Sequence, residues 1–220
     1  MPPTAKEIRA QAWEALREGA YWPFVGALFV LSFITVAFAL PLMIGVFIGV
    51  FHKSDAICAV SIVLGLVPIL YFAVGLVNYS QVRMSLATIR REMRFELFWS
   101  GWGHGWKMFW LNMVAAMYVQ LWALLFIVPG IVKAFSYAMA PYVFADHPDW
   151  TANECITESR RLMDGNKWRF FCLAISFFGW WLLALAANYI AQGFATNFLL
   201  PYCNTAFAAF YEDLKAQRGM

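Results

Sequence analysis

Long apolar runs separated by short basic stretches dominate this chain. Residues 4–19, "TAKEIRAQAWEALREG", carry charges of both signs at helical spacing. Trp22 to Phe51 is then a first run able to cross about 30 Å of hydrocarbon, which takes about 20 apolar residues. Ala56 to Val77 supplies a second, and a polar, basic stretch follows, "YSQVRMSLATIRREMRFELFWSGWGHGWK". Met108 to Ala145 is 38 residues with a single charge, Lys133. As one helix that run would measure about 57 Å, nearly twice the hydrocarbon thickness. It must fold back, and Pro129-Gly130 is the expected structural turn. Trp168 to Ala191 and Phe194 to Tyr211 supply a fifth and a sixth run.

The pattern predicts an all-α, polytopic membrane protein with six transmembrane helices and amphipathic interfacial helices. It forms one membrane domain: an amphipathic helix over 4–19, spans one and two over 22–78, and a basic interfacial segment over 80–107. Spans three and four follow over 108–145, a second amphipathic helix over 151–165, and spans five and six over 168–212. Composition agrees: 62% of the 220 residues are hydrophobic and 13% charged, against about 45–50% and about 25% in soluble domains. No cleavage site follows the first helix, so the first span is expected to remain as an anchor.

Charge orients the chain. With both termini inside, 14 of the 16 basic residues fall in cytoplasmic segments, leaving Lys53 and Lys133 towards the outside; Lys and Arg flanking short loops set topology. Trp22, Trp99, Trp102, Trp106, Trp150 and Trp168 gather at the same boundary, as interfacial anchors do. The net charge of +3 follows this placement and does not indicate nucleic acid. The four cysteines lack metal-ligand spacing, so neither disulfide, metal nor cofactor is indicated.

"TAKEIRAQAWEALREGAYW" and "TANECITESRRLMDGNKW" look alike. Thr4 with Glu7 and Thr151 with Glu154 fit the capping box, and Gly19 and Gly165 fit the left-handed position after a helix. With a middle segment presenting Val82, Leu86, Ile89, Met93 and Leu97 opposite Arg83, Arg90 and Arg94, three units of surface helix plus hairpin are suggested. Their second spans hold Pro68, Pro141 and Pro201. Recurrent caps and aromatic boundaries in any membrane protein are the simpler alternative.

From Pro129 onward, Pro129-Gly130-Ile131 with Lys133, Tyr137 with Met139, Ala145-Asp146, Ser159, Met163 and Gly165-Asn166-Lys167 stand in order. Phe177 with Gly179-Trp180, Pro201-Tyr202 and Phe210-Tyr211 complete the set. Over roughly these C-terminal 90 residues the chain resembles the uncharacterised bacterial integral-membrane family numbered 975 among the domains of unknown function. The resemblance implies a polytopic bacterial membrane protein with no assigned activity. More distantly, the chain is similar to the membrane-spanning part of some glycerophosphodiester phosphodiesterases, which implies a lipid context; their catalytic barrel is absent here.

Chemistry is sparse. His147 stands near Asp146, Asp149, Glu154 and Glu158, but no spacing makes them converge on a metal. His104 in "GWGHGW" and His52 read as linker and loop residues. Arg160, Arg161, Lys167 and Arg169 are the candidate site for anionic lipid headgroups; rims of this kind also serve topology alone. Asn112, Gln120, Lys133, Asn188 and Asn204, with Tyr137, are the polar residues expected inside the membrane. Such amides serve either as links between helices or, when they face one wet cavity, as a path for a solute. Lys133 either snorkels to water or is buried, depending on how deep its turn sits. The expected function is that of a non-enzymatic bacterial inner-membrane protein that is membrane-organising, envelope-related or regulatory, with membrane lipids as partners. A transporter or lipid-handling protein is the alternative. Self-association and protein partners stay open.

Overall fold

The computed structural model describes residues 2–56, 58–62, 71–191 and 194–219, and among these it contains helices and no strand. Helix α1 spans Ala5–Ala15 and passes through a π-helical turn, Leu16–Ala20, into α2, Tyr21–Phe51. A second π-helical stretch, Tyr71–Val77, leads into α3, Asn78–Ile89. After a 3-10 turn come α4 (Gly101–Leu125), α5 (Ile127–Tyr137), α6 (Ala140–Asp146), α7 (Ala152–Leu162), α8 (Lys167–Ser176), α9 (Phe178–Ile190) and α10 (Thr196–Gln217).

Both capping boxes form. The Glu7 amide donates to Thr4 Oγ1 at 3.4 Å while the Thr4 amide donates to the Glu7 carboxylate at 2.7 Å. Thr151 and Glu154 repeat the pair at the same two distances. Gly19 and Gly165 have φ of 109° and 77°, the left-handed backbone that glycine adopts without a Cβ penalty. The middle unit departs from this plan. Helix α3 has no side-chain cap, continues from the helix before it, and ends at Arg91 with φ 58°.

Among the described residues, four helical stretches are long and apolar enough to cross a membrane: Ala5–Phe51, Trp102–Leu125, Ile127–Asp146 and Lys167–Tyr189. The first hairpin closes where expected. The chain turns at His52–Ser54, and residues 55–56 and 58–62 return helically along α2. Gly45 and Gly49 allow that approach, because a Cβ on either would lie 2.3 or 2.5 Å from Ser61 Oγ or Cys58 Sγ. Much of the second expected span, residues 57 and 63–70 with Pro68, lies outside the described residues. The six Trp residues expected at the boundary are all exposed.

Two expectations are corrected. The fold-back comes before Pro129-Gly130: Phe126 takes an extended conformation (φ −158°, ψ 142°) and breaks the helix there. Pro129 lies in the first turn of α5, where its missing N–H costs nothing. Gly130 instead lets α5 approach α4, since a Cβ there would meet Ala123 at 2.8 Å. Helix α3 is also no surface helix. Besides Val82 and Leu86 it buries Tyr79, Ser80, Met84, Ser85, Ala87 and Thr88, so it runs through the core. Helix α10, the expected sixth span, is not among the four apolar stretches. It buries Asn197, Thr205, Ala206, Phe210, Tyr211 and Leu214 and stands at the centre of the larger core cluster, with α1, α3, α6, α7 and α8 around it.

Gly165→Ala forces a Cβ into left-handed backbone and is expected to destabilise the protein by about 1 kcal/mol, readable as an earlier unfolding midpoint in a denaturant titration. The Thr151 amide, followed by the Thr151 hydroxyl, holds the Glu154 carboxyl below its ordinary value of 4.5. A lowered folded pKa means that this cap contributes above about pH 4.5 and is lost as pH falls through the folded value. Amide protection in the first turn of α7 should therefore drop on acidification and be insensitive to pH in Glu154→Gln.

Candidate functional site

Among the described residues, two collections of polar side chains stand out. The first is a cleft of about 410 Å³ between α5, α7 and the start of α8, lined by Lys133, Ser136, Thr157, Arg160, Arg161, Asp164 and Lys167. Local bonds account for its assembly. Ser159 Oγ donates to the Ser136 carbonyl at 2.8 Å and accepts the Met139 amide at 3.2 Å, which pins α7 to the end of α5. That pin brings Arg160 beside Lys133. Gly165 then turns the chain into α8, where Phe170 and Phe171 both pack on Phe135 with centroids 5.9 Å apart, and Lys167 completes the rim.

Charge in the cleft is unbalanced: four cations face one carboxylate, Asp164. Among the described residues Arg161 has Glu158 at 3.6 Å, and no carboxylate lies within 4 Å of the Lys133, Arg160 or Lys167 nitrogens. Lys133 Nζ lies 4.6 Å from the centroid of the Trp122 ring, a cation–π contact. Such a cleft suits a multivalent anion such as a phosphate group.

Arg169 is not part of it. Its guanidinium donates to Asp213 at 2.8 Å, to the Pro3 carbonyl at 3.0 Å and to Asn166 Oδ1 at 2.9 Å, tying α8 to α10 and the N-terminus. Of the four residues expected to form one cluster, Arg160, Arg161 and Lys167 line the cleft together with Lys133, and Arg169 does not.

The second collection is an ion cluster that sequence reasoning missed as a site. Asp146, its side chain 8% exposed, accepts from Arg90 at 2.8 and 3.0 Å, from Lys215 at 2.7 Å and from the Tyr211 hydroxyl at 3.1 Å. Arg90 also donates to Glu212 at 2.6 and 2.8 Å. Nearby, Arg83 donates to the Ala145 carbonyl at 3.0 Å. The signal available in the sequence was the pairing of Ala145-Asp146 with Phe210-Tyr211 among the resemblance residues.

The polar residues expected inside the membrane make separate, local bonds. Asn112 donates back to the Met108 carbonyl (2.9 Å), and Asn188 Oδ1 accepts the Thr196 amide (3.2 Å) across the α9–α10 connection. Asn204 donates to Gln81 Oε1 (3.0 Å), joining α10 to α3, and Asn197 donates to Ser32 Oγ (3.0 Å), joining α10 to α2. Tyr137 is buried against Tyr118, and Gln120 is exposed. Lys133 alone of the set reaches the cleft.

The imidazole cluster disperses. His147 stacks on Trp150 at 4.2 Å, Glu154 caps α7, and Glu158 pairs with Arg161. No group of three metal-ligating side chains forms among the described residues. Burial, reinforced by the negative charge of Glu154, pushes the Cys155 thiol up to about 11, which keeps it protonated and unreactive.

Most residues of both collections come from the part of the chain that begins at α5. Residues 127–218 match the family model described as Protein of unknown function (DUF975). The DUF975 segment coincides with the region of the resemblance and contains every cleft residue and, apart from Arg90, every residue of the Asp146 cluster. No curated protein and no solved structure matches the chain.

Asp146→Ala strands Arg90 and Lys215 at the base of the DUF975 segment. Breaking a buried pair costs 3–5 kcal/mol; with both cations partly exposed, a loss of about 2 kcal/mol is expected. Unfolding in mixed micelles measures it, and Asp146→Asn, which still accepts the Tyr211 hydroxyl, should lose less.

Proposed function

We propose that this is a non-enzymatic bacterial inner-membrane protein that organises or senses the membrane by binding anionic lipid headgroups through its inner-leaflet basic helices. Both termini are cytoplasmic and the number of crossings is even, six at most; the distribution of Lys and Arg supports that orientation. One observation carries the reading: Lys133, Arg160, Arg161 and Lys167, from three helices, line one cleft with a single carboxylate. Cations near an anionic surface contribute about 1 kcal/mol each, and a cleft that converges four of them on one phosphate adds geometry to that attraction.

Replacing all four by Gln should weaken binding of anionic lipid to the purified protein by roughly a hundredfold or more, since about 1 kcal/mol is lost per cation. Arg169→Gln, which breaks the Asp213 pair instead, should leave binding unchanged. Equal binding by the fourfold variant and the parent chain would overturn the assignment.

A second observation favours the lipid-handling alternative. Trp13, Tyr21, Trp180, Leu183, Phe198 and Tyr202 line an apolar cavity of about 620 Å³ between α1, α9 and α10, a volume within the range of small-ligand sites. If it holds an acyl chain, Ala184→Trp on its wall should displace a fluorescent fatty-acyl probe; undiminished probe binding removes this reading.

A further inference from the structure

We infer that the α4–α5 hairpin is re-entrant: its apolar tip enters the leaflet nearest the basic cleft, contacts the acyl chains there, and returns without crossing. The starting point is Lys133. It lines the same cleft as Arg160, Arg161 and Lys167, so α5 at this residue stands level with a charged surface that must face water or headgroups. Placing those charges in hydrocarbon would cost several kcal/mol each.

Helix α7 marks how far that polar level extends. Its inner face, Cys155, Ile156, Ser159 and Leu162, is buried, while Asn153, Glu154, Thr157, Arg160 and Arg161 are exposed along its whole length. Near its start Lys107 donates to the Pro148 carbonyl at 3.1 Å, and Tyr118 donates to Asn153 Oδ1 at 3.2 Å. The lower part of the hairpin therefore runs beside a helix whose outer face is polar from one end to the other.

Little chain remains above it. Lys133 to Phe126 is seven residues, about 10 Å of helix. On α4, the exposed Trp106 and Trp110 line a separate pocket with Asp149, Trp150 and Asn153 beside the start of α7, as interfacial aromatics do. From Tyr118, which reaches that polar level through Asn153, to Phe126 is eight residues, about 12 Å. Both lengths fall short of about 30 Å of hydrocarbon.

The tip itself is built for acyl chains. Leu124, Phe126 and Ile127 are 83%, 69% and 76% exposed, and no charge intervenes between Lys107 and Lys133. Its backbone is also economical in unpaired donors: the Phe126 amide donates to the Trp122 carbonyl at 3.1 Å, the Gly130 amide to the Phe126 carbonyl at 3.3 Å, and Pro129 has no N–H. A break in a helix at membrane depth requires this kind of satisfaction. Anionic headgroups at the four-cation cleft complement a wedge of apolar residues directly above them. Lys133 then joins the other basic residues on one side, fifteen of the sixteen.

Depth-dependent quenching tests this. The full chain with Cys58→Ala, Cys172→Ala and Phe126→Cys, labelled with a small fluorophore, is placed in phosphatidylcholine vesicles bearing nitroxides on the headgroup or deep in the acyl chain. A tip about 10–20 Å into the hydrocarbon should be quenched roughly threefold more by the deep nitroxide than by the headgroup nitroxide, and not by aqueous iodide. Headgroup quenching equal to or above the deep value, or quenching by iodide, places the tip at a water boundary and overturns the inference. Leu124→Cys gives the same reading if Phe126→Cys fails to fold. Zwitterionic lipid keeps the depth measurement independent of anionic-lipid binding at the cleft.

Discussion

Asp146 lies at the end of α6, yet its carboxylate also anchors α3 through Arg90 and α10 through Tyr211 and Lys215. Three helices are thereby aligned at their charged ends, and Arg169–Asp213 adds α8 to the same level. A carboxylate so enclosed is tolerable only because each oxygen has cationic or hydroxyl donors; alone it would be strongly disfavoured. With these ends tied, α10 becomes the post against which α1, α3 and α8 pack, and the apolar α4–α5 tip lies away from these charges.

That polarity explains an otherwise odd feature of the composition. A chain this apolar still encloses a core at its charged end, where Tyr79, Phe144, Phe177, Phe210 and Tyr211 are nearly inaccessible. Further along, α2 from Phe33 to Phe51, the α4–α5 tip and α9 from Phe178 to Tyr189 leave large apolar side chains exposed. A packed polar end and apolar extensions are what a bilayer interface selects: helices bury their polar contacts against one another below it and offer only hydrocarbon-compatible surface above it.

The legible features were local ones. T-A-x-E declared both capping boxes, because a Thr hydroxyl and a Glu carboxylate three residues apart can exchange bonds only at a helix start. Gly19 and Gly165 announced their own backbone. The fold-back was placed late because Pro129-Gly130 carries turn chemistry, whereas the actual break at Phe126 uses an extended conformation open to any residue. Helix α3 showed one apolar face to periodicity; Ser80 is buried by the turn that follows, donating to the Phe98 carbonyl at 3.0 Å, which no local pattern reveals. Likewise α10 reads as apolar, but Asn197 and Asn204 are spent on Ser32 and Gln81. Arg169 could have been excluded earlier. On one helix, positions two apart point about 200° from each other, so Lys167 and Arg169 were never candidates for one pocket.

Lys133 shows most clearly how a contact outweighs a pattern. By position in an apolar run it belongs to the membrane, and by charge count it fell on the far side. Its partners decide otherwise, because Arg160 and Lys167 cannot follow it into hydrocarbon and the Ser159–Ser136 pin does not let it leave them. On the re-entrant reading proposed above, the level of α5 is thus set by a short helix whose outer face is polar along its whole length. With α7 at the interface, as proposed, the depth of the tip follows from counting residues, and the proposed wedge and cationic cleft form two parts of one surface.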